Sequence, residues 1–221
     1  MKPRVPRAVW LAVAVGIAAR LAFGLGYWVD EPLTHDEREY RGAQFSPDGR
    51  RIVASVDIDG QSDLVLLDPK TGAEIQRLTE SEWDEVSPSW SPDGRWIAFV
   101  SSRTGRPQIH LIRDDGTAER RLTMAGQYNT TPRFGPNGLI VFAGMDEFVL
   151  DLFTVDMAGN ITRLTQGQGS NKDPCWSPDG RYLAFVSDRA GKWKVWIMTQ
   201  DGRYQFPITD KVDTWAQPDW R

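Results

Sequence analysis

The sequence predicts an all-β chain: a β-propeller of four four-stranded blades plus the first strand of a fifth, preceded by one N-terminal hydrophobic helix. Three observations carry that prediction. A tight turn recurs at Asp48-Gly49, Asp93-Gly94, Asn137-Gly138 and Asp179-Gly180, at spacings of 45, 44 and 42 residues. Each copy has an aromatic residue just before the turn, at Phe45, Trp90, Phe134 and Trp176. Each ends in an aliphatic-Thr pair, at Leu78-Thr79, Leu122-Thr123, Leu164-Thr165 and Ile208-Thr209. A period of about 40–45 residues suits a four-stranded propeller blade and is too long for leucine-rich or tetratricopeptide repeats.

In chain order, residues 1–29 come first. Lys2, Arg4 and Arg7 stand before an unbroken apolar run over 8–19, with no acidic residue among the first seven. That is the layout of a secretory signal peptide, with Gly16-Ile17-Ala18 as its small-residue cleavage site. The competing reading extends the segment to Val29 as a membrane anchor of about spanning length, interrupted unfavourably by Arg20. Both readings predict an exported protein, periplasmic or extracellular. The basic residues keep the N-terminus cytoplasmic, and no later run is apolar and long enough to return. No cysteine follows the apolar run, which argues against a lipid anchor. Residues 30–40 read as a polar linker.

The repeats fill 41–221, with blades expected at about 41–80, 86–123, 131–165 and 173–209. The second shows why each should fold as one antiparallel sheet. Ser91-Pro92-Asp93-Gly94 is turn chemistry, in which Pro presets φ, Asp bonds its own backbone and Gly takes the positive φ. Trp96 to Val100 is a short run of β-formers, buried on both faces. Arg103-Thr104-Gly105-Arg106-Pro107 turns the chain into the strand 108–113, and Asp114-Asp115-Gly116 turns it again into a polar outer strand at 120–123. The same pattern predicts strands at 43–45, 52–56, 63–67 and 74–78 in the first blade. In the third it predicts 131–134, 139–143, 149–155 and 161–164, and in the fourth 173–176, 182–186, 194–198 and 205–208. Continuous apolar runs such as Val195 to Met198 fit sheets covered on both faces.

FSPDGRRIVASV, WSPDGRWIAFVSSRTG and WSPDGRYLAFVSDRAG resemble the WD40-like (PD40) propeller repeats of the TolB family. The resemblance runs from Arg41 to the C-terminus and implies the propeller fold. It implies no single function, since similar repeats also occur beside peptidase domains and in many exported proteins. The third copy, Phe134-Gly135-Pro136-Asn137-Gly138, departs from the pattern by losing both the Ser and the following Arg. A second, local resemblance joins Arg20-Leu21-Ala22-Phe23 and His35-Asp36-Glu37-Arg38-Glu39-Tyr40 to the first membrane helix and outer loop of polyprenol-phosphate glycosyltransferases. In that family acidic residues of the loop take part in catalysis. The family's remaining membrane helices have no counterpart here, so a polar linker is the preferred reading.

The tail, Asp213 to Trp220, repeats the approach to an inner strand and stops before any turn, giving an extra strand at 216–220. Three readings follow: a closed four-bladed ring with the tail laid over the seam, a fragment of a six-bladed relative, or donation of the tail to another copy. Ring closure is preferred, because radial repetition can protect its own edges. Donation would make Trp215, Pro218 and Trp220 the assembly strand.

Composition bounds the chemistry. The chain has 221 residues, a net charge of −4, 40% hydrophobic and 25% charged residues. This is ordinary globular composition, without the basic stripe of a nucleic-acid binder. The single cysteine, Cys175, excludes an internal disulfide and reads as a buried small residue. The two histidines are His35, in the linker, and His110, in a strand. No nucleophile elbow is present. Gly167-Gln168-Gly169-Ser170 lacks the strand-to-helix context of a phosphate loop. Asp57-Ile58-Asp59-Gly60 reads as a hairpin turn rather than a calcium loop. No catalytic residue, metal site or cofactor is expected, and the chain reads as a non-enzyme.

A binding surface remains. Mapped by the family resemblance, the loops at the channel mouth carry Trp83, Asp84, Arg103, Tyr128, Asn129, Asp173, Arg189, Trp193 and Trp215. Aromatic residues mixed with Arg and Asp suit a protein or peptide partner. The competing reading packs the tryptophans on loop backbone and leaves the charges solvated. The function expected first is a protein-interaction scaffold at the cell envelope, touching the membrane only through its N-terminal segment. The alternatives are a structural protein that self-assembles into rings or filaments, and a propeller subunit associated with a hydrolase partner.

Overall fold

The computed structural model describes residues 9–12, 33–34, 36–146, 148–211 and 217–220. Strands and turns make up all of these. The first strand, β1 (Val9–Ala12), falls within the expected hydrophobic helix, so these four residues depart from that expectation. The rest of the expected segment, 13–29, lies outside the described residues. Among the described residues no helix is long and apolar enough to cross a membrane.

Four antiparallel sheets follow, each with its strands in chain order. The first blade holds β2 (Tyr40–Phe45), β3 (Ile52–Ile58), β4 (Gln61–Leu67) and β5 (Glu74–Arg77). The second holds β6 (Glu85–Trp90), β7 (Trp96–Ser101), β8 (Gln108–Arg113) and β9 (Arg120–Arg121). The third holds β10 (Tyr128–Phe134), β11 (Ile140–Asp146), β12 (Val149–Val155) and β13 (Ile161–Arg163). The fourth holds β14 (Asn171–Trp176), β15 (Tyr182–Ser187), β16 (Lys194–Thr199) and β17 (Gln205–Pro207). The tail strand is β18 (Gln217–Trp220).

The repeat turn forms as its residues dictate. Gly94 N donates to Ser91 O at 2.9 Å, Ser91 Oγ donates to Asp93 Oδ1 at 2.6 Å, and Trp96 N donates back to Ser91 Oγ at 2.9 Å. Ser46-Asp48 and Ser177-Asp179 repeat this arrangement. Gly135 replaces the serine in the third blade because a Cβ there would lie 2.8 Å from the ring of Trp176.

The inner strands of the first, third and fourth blades begin two or three residues earlier than expected, because each absorbs a bulge. Register shifts fall between Arg41 and Gln44, Val86 and Ser89, Thr130 and Arg133, and Lys172 and Cys175. The bulged residues Gly42, Ser87, Thr131 and Asp173 have φ of 62°, 56°, 49° and 51°. Ala43, Pro88, Pro132 and Pro174 follow them. A proline inside a strand reads from sequence as its boundary. The left-handed residue carries the ladder across it, at about 1–3 kcal/mol where that residue is not glycine.

The core lies between blades. Val53, Leu64 and Leu66 of the first blade pack with Trp90, Ile97 and Phe99 of the second. Ala98, Ile109 and Leu111 of the second meet Ile140 and Phe142 of the third, and Val141 and Leu152 of the third meet Trp176 and Phe185 of the fourth. Phe99, Phe142 and Phe185 are fully buried at one repeated position, each contributing about 1.5–3 kcal/mol of hydrophobic stabilisation. The ring-bearing residues also stitch the seams. Trp90 Nε1 donates to Gln44 O at 3.2 Å while its backbone N–H reaches Gln44 Oε1 at 2.8 Å. Trp176 Nε1 donates to Arg133 O at 3.2 Å, and Phe134 N donates to Ser89 Oγ at 3.0 Å.

Interblade packing runs from the first blade to the second, the third, the fourth and then the tail strand. The strands of the first and fourth blades share no comparable interface among the described residues. The preferred four-bladed closure is therefore not what forms. Instead β18 lies where a fifth blade would begin and pairs antiparallel with β1, Val9 opposite Trp220 and Ala12 opposite Gln217. Trp220 packs on the fourth blade beside Cys175 and Ile197.

Candidate functional site

Backbone ties hold one rim, two of them equivalent bonds within the second and fourth blades and one running from β10 to the preceding blade. Ser102 N donates to Asp84 O at 3.3 Å, Asn129 N to Pro107 O at 3.0 Å, and Asp188 N to Ser170 O at 3.3 Å. On this rim Trp83 and Tyr128 are 46% and 37% exposed. Asp84 does structural work, its Oδ1 accepting Ser62 N at 3.2 Å.

Behind the rim, the second and fourth blades each carry a buried clamp. Glu85 stands opposite Ser101, and Asn171 opposite Ser187. Arg103 Nη2 donates to Glu85 Oε1 at 3.0 Å and its Nε to Ser101 Oγ at 3.0 Å, while Nη1 pairs with Glu119. Arg189 repeats this, with Nε on Ser187 Oγ at 3.0 Å and Nη2 on Asn171 Oδ1 at 2.5 Å. Its guanidinium lies 5.2 Å from the ring centroid of Phe185 and 4.8 Å from that of Trp196. Arg103 and Arg189, both half-buried, thus fasten their own blades. Asn129 is buried, its Nδ2 donating to Gln108 Oε1, Thr123 Oγ1 and Ala125 O. Trp193 is half-buried beneath Lys172 Nζ, 4.9 Å from the ring centroid. Trp215 lies outside the described residues.

Asp173 lies away from these loops, at the bulge of β14, on a central cavity of about 480 Å³. Gln44, Arg133, Cys175, Asp219 and Trp220 also line it. Burial pushes the Asp173 carboxyl up, against the pull of Lys172 and Arg133. Burial likewise depresses the Arg133 guanidinium, whose Nη1 donates to Pro132 O at 3.2 Å. Sequence reading missed Arg133. The signal was its place: it precedes Phe134 where the other blades have Gln44, Ser89 and Cys175.

The remaining polar groups serve the fold. Cys175 is buried, and burial pushes its thiol well above the usual range, so no thiolate is at hand. His110 is buried against Phe99, with ring centroids 5.6 Å apart. Asp57 Oδ1 accepts Gly60 N at 3.1 Å in a hairpin whose Asp59 and Gly60 both have positive φ, as a type I′ turn demands. Asp36, in the loop similar to the glycosyltransferases, accepts from Arg38 and from Tyr40 Oη. Burial and that bond push the Tyr40 phenol up to about 12. His35 lies outside the described residues. No cluster of three or more acidic, His or Cys ligands occurs among the described residues.

The chain is similar to an uncharacterized protein of Agrobacterium fabrum, 37% identical over 155 residues, covering 64% of this chain and 53% of that protein. It is also similar to a TolB homolog of Chlorobium luteolum, 36% identical over 130 residues, covering 58% of this chain and 29% of that one. The chain thus spans about half, or less, of these relatives. Among solved structures, TolB of Acinetobacter baumannii superposes with a TM-score of 0.71 at 22% identity, over 82% of this chain and 47% of that one. A puromycin hydrolase superposes with a TM-score of 0.64 at 19% identity, over 83% and 31%, which shows that the fold alone does not separate enzymes from non-enzymes. The family model for the TolB beta propeller domain matches residues 37–148, half of the chain. With its four repeated sheets and seam tryptophans, this chain belongs to the TolB β-propeller family.

Proposed function

We propose that this chain is a non-catalytic, exported propeller that serves as a protein-interaction scaffold at the cell envelope. The observation that carries the reading is the rim. Trp83, in the loop before β6, and Tyr128, at the start of β10, stand exposed on backbone fixed by the ties and clamps beneath. Large aromatics on a preorganised surface are what protein interfaces use as anchors. Export rests on the basic and apolar residues that open the chain and on the family. The test has two arms. Fusion of the full chain to a reporter active only outside the cytoplasm should give signal. A photo-crosslinking residue at Trp83 or Tyr128 should trap a discrete envelope protein, whereas one at Asp115 or Asp201, at outer-strand turns, should not. A silent reporter, or equal trapping at all four sites, overturns the reading.

A second reading is self-assembly, favoured by the ends of the arc. Phe45 is 53% exposed, and Trp220 Nε1 is buried without a partner. Light scattering of the full chain across concentrations tests it: growth in mass that Phe45→Ser abolishes supports assembly, and constant monomer mass excludes it.

A further inference from the structure

The third blade lacks a side chain that its neighbours have. Ser101-Ser102-Arg103 and Ser187-Asp188-Arg189 end the second strands of the second and fourth blades, and Gly144-Met145-Asp146 stands in the same register in the third. Asn129 faces Gly144 as Asn171 faces Ser187 and Glu85 faces Ser101. The acceptor is thus retained and the arginine is gone. In its place is a pocket of about 220 Å³ whose lining includes Asn129, Phe142, Gly144, Phe153 and Arg163.

We propose that this pocket binds the guanidinium of an arginine supplied by a partner chain, replacing the one that the blade has lost. Two features match the occupied clamps, and a third keeps the site open. Asn129 is 3% exposed and its Nδ2 is fully engaged, yet among the described residues nothing donates to its Oδ1; the equivalent Asn171 Oδ1 receives Arg189 Nη2 at 2.5 Å. Phe142 and Phe153 stack with centroids 5.5 Å apart and occupy the register of Phe185 and Trp196, the two rings beside which Arg189 lies. A planar cation on aromatic faces is the favoured partner of such a surface. Third, a Cβ at Gly144 would come within 2.9 Å of both Asn129 Oδ1 and Phe153, so the absence of the serine keeps the acceptor and ring in place. Arg163 lies over Phe153 at 5.5 Å, and its charge is answered by Asp151.

This sharpens the scaffold reading by assigning the chemistry of one partner side chain, and it is tested without the partner. Isotope-labelled full-length chain is titrated with N-acetylarginine amide and, separately, N-acetyllysine amide. The expected result is saturable movement of the Asn129 side-chain amide and the Gly126 and Gly144 backbone signals with arginine, at least about tenfold tighter than with lysine. Asp146→Arg, which restores the arginine in the register of Arg103 and Arg189, should abolish the response, and Phe153→Leu should weaken it. No saturable response, equal affinity for lysine, or a response that survives Asp146→Arg overturns the proposal. If the rim crosslinks persist while arginine fails, the pocket is wrong and the scaffold stands; if arginine binds without rim crosslinks, the reverse holds.

Discussion

The seams inside the arc and the ends of the arc are built from the same residue types and come to opposite outcomes. At the inner seams Trp90 and Trp176 are nearly buried and donate through Nε1 to the preceding blade. At the leading end Phe45, in the same register, is 53% exposed, and at the trailing end Trp220 is packed with its Nε1 unpaired. The comparison teaches that a blade is half a structural unit: its inner aromatic becomes core only when a preceding blade offers a carbonyl and an apolar face.

The largest break in that comparison comes from truncating the two aromatics in parallel. Trp176→Ala should cost about 3–5 kcal/mol in chemical denaturation, and Phe45→Ala less than about 0.5 kcal/mol. A large loss at Phe45 would mean that the leading end is covered like a seam. Next, Gly135→Ser restores the repeat's own serine yet sets its Cβ against Trp176, so it should destabilise by about 1–3 kcal/mol. A neutral result would show that the third seam has slack.

A smaller effect should appear on acidification. Hydroxyl donation from Ser91, Ser46 and Ser177 holds the carboxyls of Asp93, Asp48 and Asp179 below the usual range. A depressed folded value means that the stabilisation is present above the unfolded value near 4 and is lost as pH falls through the lower folded value. Melting temperature should therefore drop between about pH 4 and 2, and less steeply in Ser91→Ala. The smallest expected change is at Asp173, whose carboxyl burial raises, so that its contribution falls as pH rises through the raised value. Asp173→Asn removes that charge and tolerates the positive φ, and should raise the melting temperature slightly at neutral pH. A loss there would show that the charge is needed to oppose Arg133.

Blade number, strand order and the buried runs were legible because each repeats: Phe99, Phe142 and Phe185 announce one another. Inner-strand starts were hidden, since Pro88, Pro132 and Pro174 look like boundaries until the left-handed residue before each is seen. Which residues of the expected face stand exposed was legible only in part. Trp83 and Tyr128 are exposed, whereas Asn129 is buried and Arg103 and Arg189 are half-buried on acceptors of their own blades, which loop composition does not reveal. The pocket in the third blade was written as a departure, Gly144 and Asp146 against Ser-x-Arg, but only the register showed that the departure leaves a space.

The prolines have one more consequence. Each innermost strand pairs on one side only, so four free strand edges line the middle of the molecule. Pro88, Pro132 and Pro174 each remove a backbone donor from such an edge, and bulges bend all four out of flat register. A stray extended chain entering the centre would find no continuous ladder to zip against. The cavity can therefore offer side chains to a guest while refusing to seed cross-β growth, a safeguard that three of the four repeats carry as a proline and the first as its bulge alone.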